Sequence, residues 1–177
     1  MRVVAGTAGG RALVAPEGTN TRPTSDRVRE SIFNMLFSLG ATEDARVLDL
    51  YAGSGALGIE ALSRGASHCT FVEQDRHAVE VIRENLATLR FNDRATVVQA
   101  DALVWVERQE APFDLVLADP PYAEEEWSTL LDQLEASYFV AESGNPIAPH
   151  PRWDVLRDKK YGATLVTVLT PTTAQVK

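Results

Sequence analysis

The chain has 177 residues, of which 45% are hydrophobic and 24% are charged, and its formal net charge is −8. This length and composition predict one globular domain with its own core and exclude a disordered or fibrous protein. No apolar run approaches the roughly 18 residues that cross a membrane, and no signal-type apolar region is seen at the N-terminus, so we expect a cytoplasmic protein.

Metal and disulfide chemistry are not expected from the composition. Cys69 is the single cysteine, and its place in a predicted core strand indicates a small buried hydrophobic residue. The three histidines, His68, His77 and His150, show no spacing typical of metal ligands. We therefore expect a site without a metal ion.

The first 30 residues are the basic part of an acidic chain. Five arginines stand there against three acids, namely Arg2, Arg11, Arg22, Arg27 and Arg29 against Glu17, Asp26 and Glu30. Such an asymmetry suits a small surface that contacts nucleic-acid phosphates. From the charges alone, solvated surface arginines are an equally good interpretation.

Two elements are predicted at the start of the chain. Strand-like runs at residues 2–5 and 11–14 flank a glycine-rich connection, which is typical of a β-hairpin. Thr24 or Ser25 can then cap a helix, because apolar residues recur at three- to four-residue steps until Gly40 ends the pattern.

A strand, a glycine turn and a helix are predicted between residues 46 and 65. Gly53, Gly55 and Gly58 follow the strand with the spacing Gly-x-Gly-x-x-Gly, which lets the backbone approach a ligand at the start of the helix. The same spacing is the dinucleotide fingerprint, so it does not distinguish a nicotinamide cofactor from S-adenosylmethionine. Asp49 and the run Asp-Leu-Tyr-Ala-Gly-Ser-Gly resemble motif I of S-adenosylmethionine-dependent methyltransferases.

Two further predicted strands end in a carboxylate, at Glu73 and at Asp101. In the methyltransferase interpretation, Glu73 would accept hydrogen bonds from the ribose hydroxyls of the cofactor. Asp101, with Ala102, would lie at the adenine. For either acid taken alone, a helix N-cap or a solvated strand end is the simpler interpretation.

Residues 113–122 predict a buried strand that stops at a rigid loop. Pro120 and Pro121 cannot donate to a sheet ladder and they fix the backbone, so Asp119 and the Pro120 carbonyl are held outside the carboxyl edge of the sheet. Tyr122 follows them. Open α/β sheets bind their ligands at that edge.

An acid, two prolines and an aromatic residue are similar to the signature of methyltransferases that modify planar nitrogens. The lone pair of an exocyclic amine is delocalised into its ring, so the amine is a poor nucleophile. Acceptors at Asp119 and the Pro120 carbonyl would bind its two hydrogens and turn the lone pair toward the methyl group. Tyr122 would stack on the base. The alternative is a plain loop after a buried strand.

The rest of the chain is predicted to complete the sheet. A helix runs from the acids at 124–126 to Leu134, a fifth strand covers residues 138–142, and residues 145–151 form a proline-rich loop. Residues 153–156 and 163–169 form the antiparallel hairpin that closes such sheets.

The sequence is identified as resembling the RsmD family, bacterial 16S rRNA guanine-N2 methyltransferases. Four segments carry the resemblance: the N-terminal Arg-Val-Val-Ala-Gly-x-x-x-Gly-Arg run, the Arg-Pro-Thr-Ser-Asp-Arg-Val-Arg-Glu-Ser-Ile-Phe-Asn run that begins at Arg22, motif I, and Asp-Pro-Pro-Tyr. The resemblance extends over nearly the whole chain. One departure is the connection between Leu134 and Tyr138, where the family usually has a longer turn with a glycine.

The resemblance implies a class I S-adenosylmethionine-dependent methyltransferase fold. This is a Rossmann-like α/β domain with a mixed seven-stranded sheet between helices, here residues 23–177, with an N-terminal β-hairpin extension at residues 1–22 that contacts RNA. The implied acceptor is the N2 amine of a guanine at position 966, in the usual 16S numbering, within a 30S subunit or an assembly intermediate. The protein is expected to be a monomer.

The resemblance also implies a role for each matched residue. Catalysis would involve Asp119, Pro120, Pro121 and Tyr122. Binding of S-adenosylmethionine would involve Asp49, Tyr51, Gly53, Gly55, Glu73, Gln74, Asp101 and Ala102. Contacts to RNA would be made by Arg2, Arg11, Arg22 and Arg27.

Three other functions remain open at this stage. A DNA adenine or cytosine N-methyltransferase would normally need an added target-recognition domain. A nicotinamide-dependent oxidoreductase would need a proton donor such as a Tyr/Lys pair. An inactive RNA-binding assembly factor would have no use for an intact Asp-Pro-Pro-Tyr run.

Overall fold

The computed structural model describes residues 1–16, 25–109, 111–121 and 125–173, and in the first turn of the last helix only the backbone of residues 125 and 126. Five α-helices and seven β-strands follow one another in these residues. In chain order they are α1 (Asp26–Ser38), β1 (Arg46–Leu50), α2 (Ala56–Ser63), β2 (His68–Glu73), α3 (Arg76–Leu89), β3 (Ala95–Gln99), α4 (Ala102–Val106), β4 (Phe113–Ala118), α5 (Glu125–Gln133), β5 (Ala136–Ser143), β6 (Trp153–Tyr161) and β7 (Thr164–Pro171).

The strands form one mixed seven-stranded sheet in the order β3-β2-β1-β4-β5-β7-β6. Strands β1 to β5 are parallel, and β7 lies antiparallel between β5 and β6. The chain reverses its direction of winding between β1 and β4, which is where open α/β sheets leave a crevice at the carboxyl ends of their strands. The predicted fold class is confirmed.

Helices cover both faces of the sheet, so the central strands are buried throughout. In β1, Leu48 and Leu50 belong to one apolar cluster and Val47 to the cluster on the other face. In β4, Val116 and Leu117 alternate between the same two clusters. Consecutive apolar residues are what a strand covered on both sides requires.

Helix α1 begins and ends where its sequence predicts. The Ser25 side chain accepts a hydrogen bond from Val28 N at 3.3 Å, and Gly40 follows the helix at φ 64°. Arg29, which was counted with the basic residues of the first 30 positions, is buried. Its guanidinium pairs with Asp26 at 2.7 Å and donates to the Arg2 carbonyl. Its charge is therefore neutralised within the fold.

The N-terminal hairpin is less regular than predicted. Its two arms meet in one antiparallel bridge, Arg2 with Ala12, with further backbone hydrogen bonds from Val3 N to Arg11 O and from Gly10 N to Val3 O. No regular strand forms in residues 1–16, since other backbone groups of this segment are bound by helix side chains.

Two side chains of α2 hold this segment against the domain. Glu60 is fully buried, and its carboxylate accepts from Val4 N at 2.8 Å and from Ala5 N at 3.0 Å, with Arg64 as its ion-pair partner at 2.7 Å. Ser63 Oγ accepts from Ala8 N at 2.9 Å. Val3, Ala8 and Leu13 of the segment belong to the same apolar cluster as α1 and the sheet.

The connection from α5 to β5 consists of two residues, Leu134 and Glu135. Leu134 is buried, and the Glu135 carbonyl accepts from Phe113 N at 3.0 Å, so the connection is bound to the first residue of β4. No helix in the described part of the chain is long and apolar enough to cross a membrane.

Gly58 gives the clearest test of helix-on-sheet packing. A Cβ at this position would lie 2.4 Å from Phe71 Cε1 and 2.6 Å from Cys69 Sγ, two buried side chains of β2. Alanine gains about 1 kcal/mol of helix propensity over glycine, but overpacking costs about 1–3 kcal/mol. We expect Gly58→Ala to lower the free energy of unfolding by about 1–2 kcal/mol in urea titration. As a control, Ala87→Ser on the exposed face of α3 should keep the free energy of unfolding within about 0.5 kcal/mol of wild type. If both variants are as stable as wild type, the close contact between Gly58 and β2 is contradicted.

Candidate active site at the carboxyl edge of the sheet

The turn between β1 and α2 places three residues in the left-handed region of the backbone map. Gly53 has φ 56° and Gly55 has φ 78°, conformations that glycine adopts without strain. Tyr51 has φ 58°, which is uncommon for a residue with a side chain and is typical of functional sites. A Cβ on Gly53 would meet nothing closer than the Tyr51 carbonyl at 4.0 Å, so the backbone here is open to a ligand.

Glu73, at the end of β2, holds this turn. One carboxylate oxygen accepts from Gly53 N at 2.8 Å and the other accepts from Asp75 N at 2.8 Å. An ionised carboxylate offers about four lone-pair sites, so two bonds leave capacity for the hydroxyls of a ligand. The structure thus brings the predicted ribose acceptor and the predicted glycine turn into direct contact.

Asp49 lies beneath the turn and is almost completely buried. Its carboxylate accepts from Gly58 N at 2.9 Å in the first turn of α2. Burial raises the pKa of the Asp49 carboxyl well above its usual value, the Gly58 hydrogen bond opposes that rise, and the charges of Asp119 and Glu73 add to it. Asp49 on β1, Glu73 on β2 and Asp119, which follows β4 (Phe113–Ala118), are therefore close enough to interact.

Asp119 follows β4 on the same edge. Its side chain keeps a face open to solvent, while protein atoms crowd its other sides and raise the pKa of its carboxyl from 3.8 to about 6. Pro120 is buried and Pro121 is exposed. Tyr122, the last residue of the predicted catalytic run, lies outside the described residues. Among the described residues, no group of three or more His, Cys, Asp or Glu side chains has the arrangement of a metal site.

Asp101 and its neighbours lie farther along the edge, at the end of β3. Asp101 is the N-cap of α4, where its Oδ1 accepts from Val104 N at 3.1 Å, and its side chain remains exposed. Ala102 is buried, and the exposed Gln74 accepts at its carbonyl from Gln99 Nε2 at 3.4 Å. The capping role and a contact to adenine are compatible, because the cap uses one of the two carboxylate oxygens.

Glu142, near the end of β5, was not predicted as a site residue. The strand register pairs Val140 with Leu117 and Leu117 with Asp49, so Glu142 lies on the same face of the sheet as Asp49 and is buried. Each of the strands β2, β1 and β5 contributes an acid to this face, and Asp119 follows β4 between them. A strand that ends in a carboxylate is the signal by which Glu73 and Asp101 were found, and it applies equally to Glu142.

Three of the four predicted RNA-contacting arginines lie within the described residues. Arg2 and Arg11 are exposed but already bound within the chain, Arg2 to the Gly10 carbonyl at 2.8 Å and Arg11 to the Thr88 carbonyl at 2.6 Å. Arg27 is exposed on α1 and forms no ion pair with any residue that the structure describes. Arg22 lies outside the described residues.

A cavity of about 680 Å³ lies at the opposite, amino edge of the sheet. It is lined by the beginnings of β4, β5 and β6 and by the end of β7, and contains none of the predicted site residues. It lies at the amino ends of the parallel strands, whereas the site described above lies at their carboxyl ends.

The strand order, the glycine turn after β1 and the acids that follow β2, β3 and β4 define a class I S-adenosylmethionine-dependent methyltransferase fold. The chain belongs to the family described as "Conserved hypothetical protein 95", whose model matches residues 1–170, and the predicted membership of the RsmD family is confirmed.

Named relatives and solved structures agree with this assignment. The chain is 39% identical to "Ribosomal RNA small subunit methyltransferase D" of Escherichia coli (strain K12), over 92% of this chain and 85% of that protein. It is 44% identical to YlbH of Bacillus subtilis (strain 168), over 86% and 83% of the two chains. The solved structure of yhhF from Escherichia coli superposes with a TM-score of 0.84 at 35% identity, and covers 97% of each chain.

The raised pKa of Asp119 leads to a prediction about stability and pH. In the unfolded chain this carboxyl ionises near 3.8 and in the folded protein near 6, so it lowers stability as the pH rises between these values and stays unfavourable above them. Asp119→Asn should therefore increase the free energy of unfolding above about pH 6, and the gain should fade toward pH 4. Urea titrations across this pH range measure the difference.

The control for this prediction is Asp154→Asn, which removes an exposed acid at the start of the edge strand β6. Its effect on stability should not follow the same pH curve. A constant difference between Asp119→Asn and wild type at all pH values would show that crowding of the Asp119 carboxyl does not matter.

Proposed function

We propose that this chain transfers the methyl group of S-adenosylmethionine to the exocyclic N2 amine of a guanine in small-subunit ribosomal RNA. The observation that carries the proposal is the position of Asp119. It follows the central strand β4, is held by Pro120, and lies within electrostatic reach of Asp49 beneath the glycine turn. The acceptor for an amine and the binding place for a methyl donor are thus adjacent.

The residues at the turn fit S-adenosylmethionine. The open backbone at Gly53 gives close access to a ligand, and Glu73 beside it keeps acceptor capacity for two hydroxyls. The acids Asp49, Glu73 and Asp119 form a negative environment, which favours a ligand that carries a sulfonium and an ammonium group. When bound, S-adenosylmethionine supplies an activated methyl group, because its sulfur leaves as a neutral thioether.

Asp119 would act on the other reactant. Its carboxylate and the Pro120 carbonyl accept the two hydrogens of the amine, which directs the nitrogen lone pair at the methyl carbon. The new carbon–nitrogen bond forms as the carbon–sulfur bond breaks, and the nitrogen then releases one proton, for which the ionised Asp119 carboxylate is a nearby acceptor. Because the base must leave its stack to reach this edge, a loop or an assembly-exposed guanine is the expected target.

The choice of RNA rests on the relatives and on the N-terminal segment. The Escherichia coli relative is named as a small-subunit ribosomal RNA methyltransferase, and this chain covers most of its length. Arg2 and Arg27 are exposed in the basic part of the chain. Phosphate contacts of this kind position a nucleic acid without reading its sequence.

The roles of Asp119 and Glu73 can be separated by two alanine variants. Asp119→Ala should slow methyl transfer by about 10²–10³-fold, since an oriented acceptor at the barrier is worth roughly 2.7–4 kcal/mol, and should leave affinity for S-adenosylhomocysteine nearly unchanged. Glu73→Ala should weaken that affinity by about 1–3 kcal/mol. Calorimetric titration and single-turnover transfer to unmodified small subunits measure the two effects. Wild-type transfer by Asp119→Ala would rule out its assigned role.

The two variants need a control and a test of cofactor class. Asp154→Ala should change neither quantity, because the residue lies on the edge strand. Titration of the wild type with NAD should give no binding, and NAD binding would favour the oxidoreductase alternative. Nucleoside mass spectrometry of ribosomal RNA from a deletion strain, with and without the restored gene, identifies the modified base.

The arginines can be tested through salt dependence. Each phosphate contact contributes about 0.7–0.9 to the slope of log affinity against log salt concentration. Replacing Arg2 and Arg27 together by glutamine should flatten the slope for small-subunit binding by about one to two and leave S-adenosylhomocysteine affinity unchanged. Arg108→Gln removes an exposed charge that follows α4 and should keep the wild-type slope. Filter binding over a salt series decides the question, and identical slopes for all three proteins would return Arg2 and Arg27 to ordinary surface residues.

A further inference from the structure

Asn85 on α3 has a side-chain amide that joins two distant parts of the chain. The residue is 2% exposed. Its Oδ1 accepts from Val14 N at 2.8 Å, and its Nδ2 donates to the Val14 carbonyl at 3.0 Å and to the Ser54 carbonyl at 3.1 Å. Both amide hydrogens are therefore used, and the oxygen has a partner as well.

The two parts joined by Asn85 belong to different proposed binding surfaces. Ser54 lies between Gly53 and Gly55, in the turn proposed to bind the methyl donor. Val14 lies in the N-terminal segment that carries Arg2 and Arg11, shortly before Arg22 in the sequence. One buried amide thus fixes the backbone of the cofactor turn and the backbone of the RNA-facing segment at the same time.

The remaining anchors of the N-terminal segment have a different geometry. Glu60 binds Val4 and Ala5, and Ser63 binds Ala8 and Ala5, from α2 and without a hydrogen bond to the turn. Arg11 donates to the Thr88 carbonyl of α3, and at the start of the segment Met1 Sδ accepts from Ser54 Oγ at 3.9 Å, a weak contact beside the Asn85 bond. Leu13 is packed in the apolar core, but the Val14 side chain beside it is 44% exposed and adds little burial of its own. The backbone N–H and carbonyl of Val14 are bound by the two hydrogen bonds to Asn85.

We propose that Asn85 is a positioning residue that couples RNA binding to cofactor binding. This inference rests on the proposed function. With Val14 docked, the Asn85 amide is held where its Nδ2 meets the Ser54 carbonyl; with Val14 undocked, the amide loses two of its three partners and the turn loses a fixed contact. RNA that contacts the N-terminal segment and favours the docked position of Val14 therefore also favours the fixed position of the cofactor turn, and each ligand tightens the binding of the other.

The experiment compares cofactor affinity with and without RNA. Equilibrium dialysis with labelled S-adenosylhomocysteine, which cannot react, is carried out on the full chain alone and with saturating small subunits from a deletion strain. We expect wild-type protein to bind the ligand about five- to tenfold more tightly when the particles are present, within the usual range of coupling between sites. In Asn85→Ala, the ratio of the affinity with particles to the affinity without particles should be close to one.

Two further variants separate coupling from simple stability. Ser63→Ala removes an anchor of the same segment that does not touch the turn, so it should keep the wild-type ratio. Asn85→Asp keeps an acceptor for Val14 N but loses both donated bonds. Its affinity for S-adenosylhomocysteine should therefore be the same with and without particles, although the segment retains one contact. Thermal unfolding of each variant shows that the compared proteins are folded.

Each outcome decides between the hypotheses. A wild-type ratio of one overturns the coupling, provided that the particles are bound in the dialysis and are methylated in a separate assay. The proposed function is then left intact. A wild-type ratio that persists in Asn85→Ala, or one that is lost equally in Ser63→Ala, removes Asn85 from this role. Failure of the wild type to bind S-adenosylhomocysteine or to methylate the particles contradicts the proposed function itself.

Discussion

The site depends on keeping several carboxylates close together at one edge of a sheet. Burial penalises the ionised form and raises the pKa values of Asp49 and Asp119, and at Asp49 the charges of Asp119 and Glu73 add to the rise. Backbone N–H groups offset part of this cost, at Gly58 for Asp49 and at Gly53 and Asp75 for Glu73. The acids thus determine the conformation of the turn, and the turn in return stabilises the acids.

In the proposed function, the same crowding would favour a positively charged ligand. A negative environment that is only partly satisfied by backbone donors is stabilised by a cation more than by a neutral ligand. For the proposed reaction this means that the donor binds as a cation and that its product, which has lost the sulfonium charge, is held less strongly.

Much of the fold was predictable, because its signals are local. Consecutive apolar residues with Asp-Pro-Pro after them identify β4, and the glycine spacing identifies the turn after β1. The positions of Asp49, Glu73 and Asp119 at one edge of the sheet follow from that pattern. The N-cap at Ser25 was also predictable, since capping involves residues only three positions apart.

Other features could not be predicted, because their partners are far away in the sequence. The exposure of Arg29 was misjudged, as a charge count cannot show that Asp26 and the Arg2 carbonyl enclose its guanidinium. Glu60 is a helix acid by pattern, yet it binds backbone groups 55 and 56 residues earlier. The irregular hairpin has the same cause, since these long-range bonds replace the ladder that local pairing would form.

The long-range anchoring of the N-terminal segment has a consequence for synthesis of the protein. Residues 4–14 are synthesised before α2 and α3, which carry the side chains that bind them, and the bond between Val14 and Asn85 spans 71 positions. At about 5–20 residues per second, Asn85 is polymerised roughly 4–14 s after Val14. The segment is thus made several seconds before its partners, and until then its backbone donors face water or other chains.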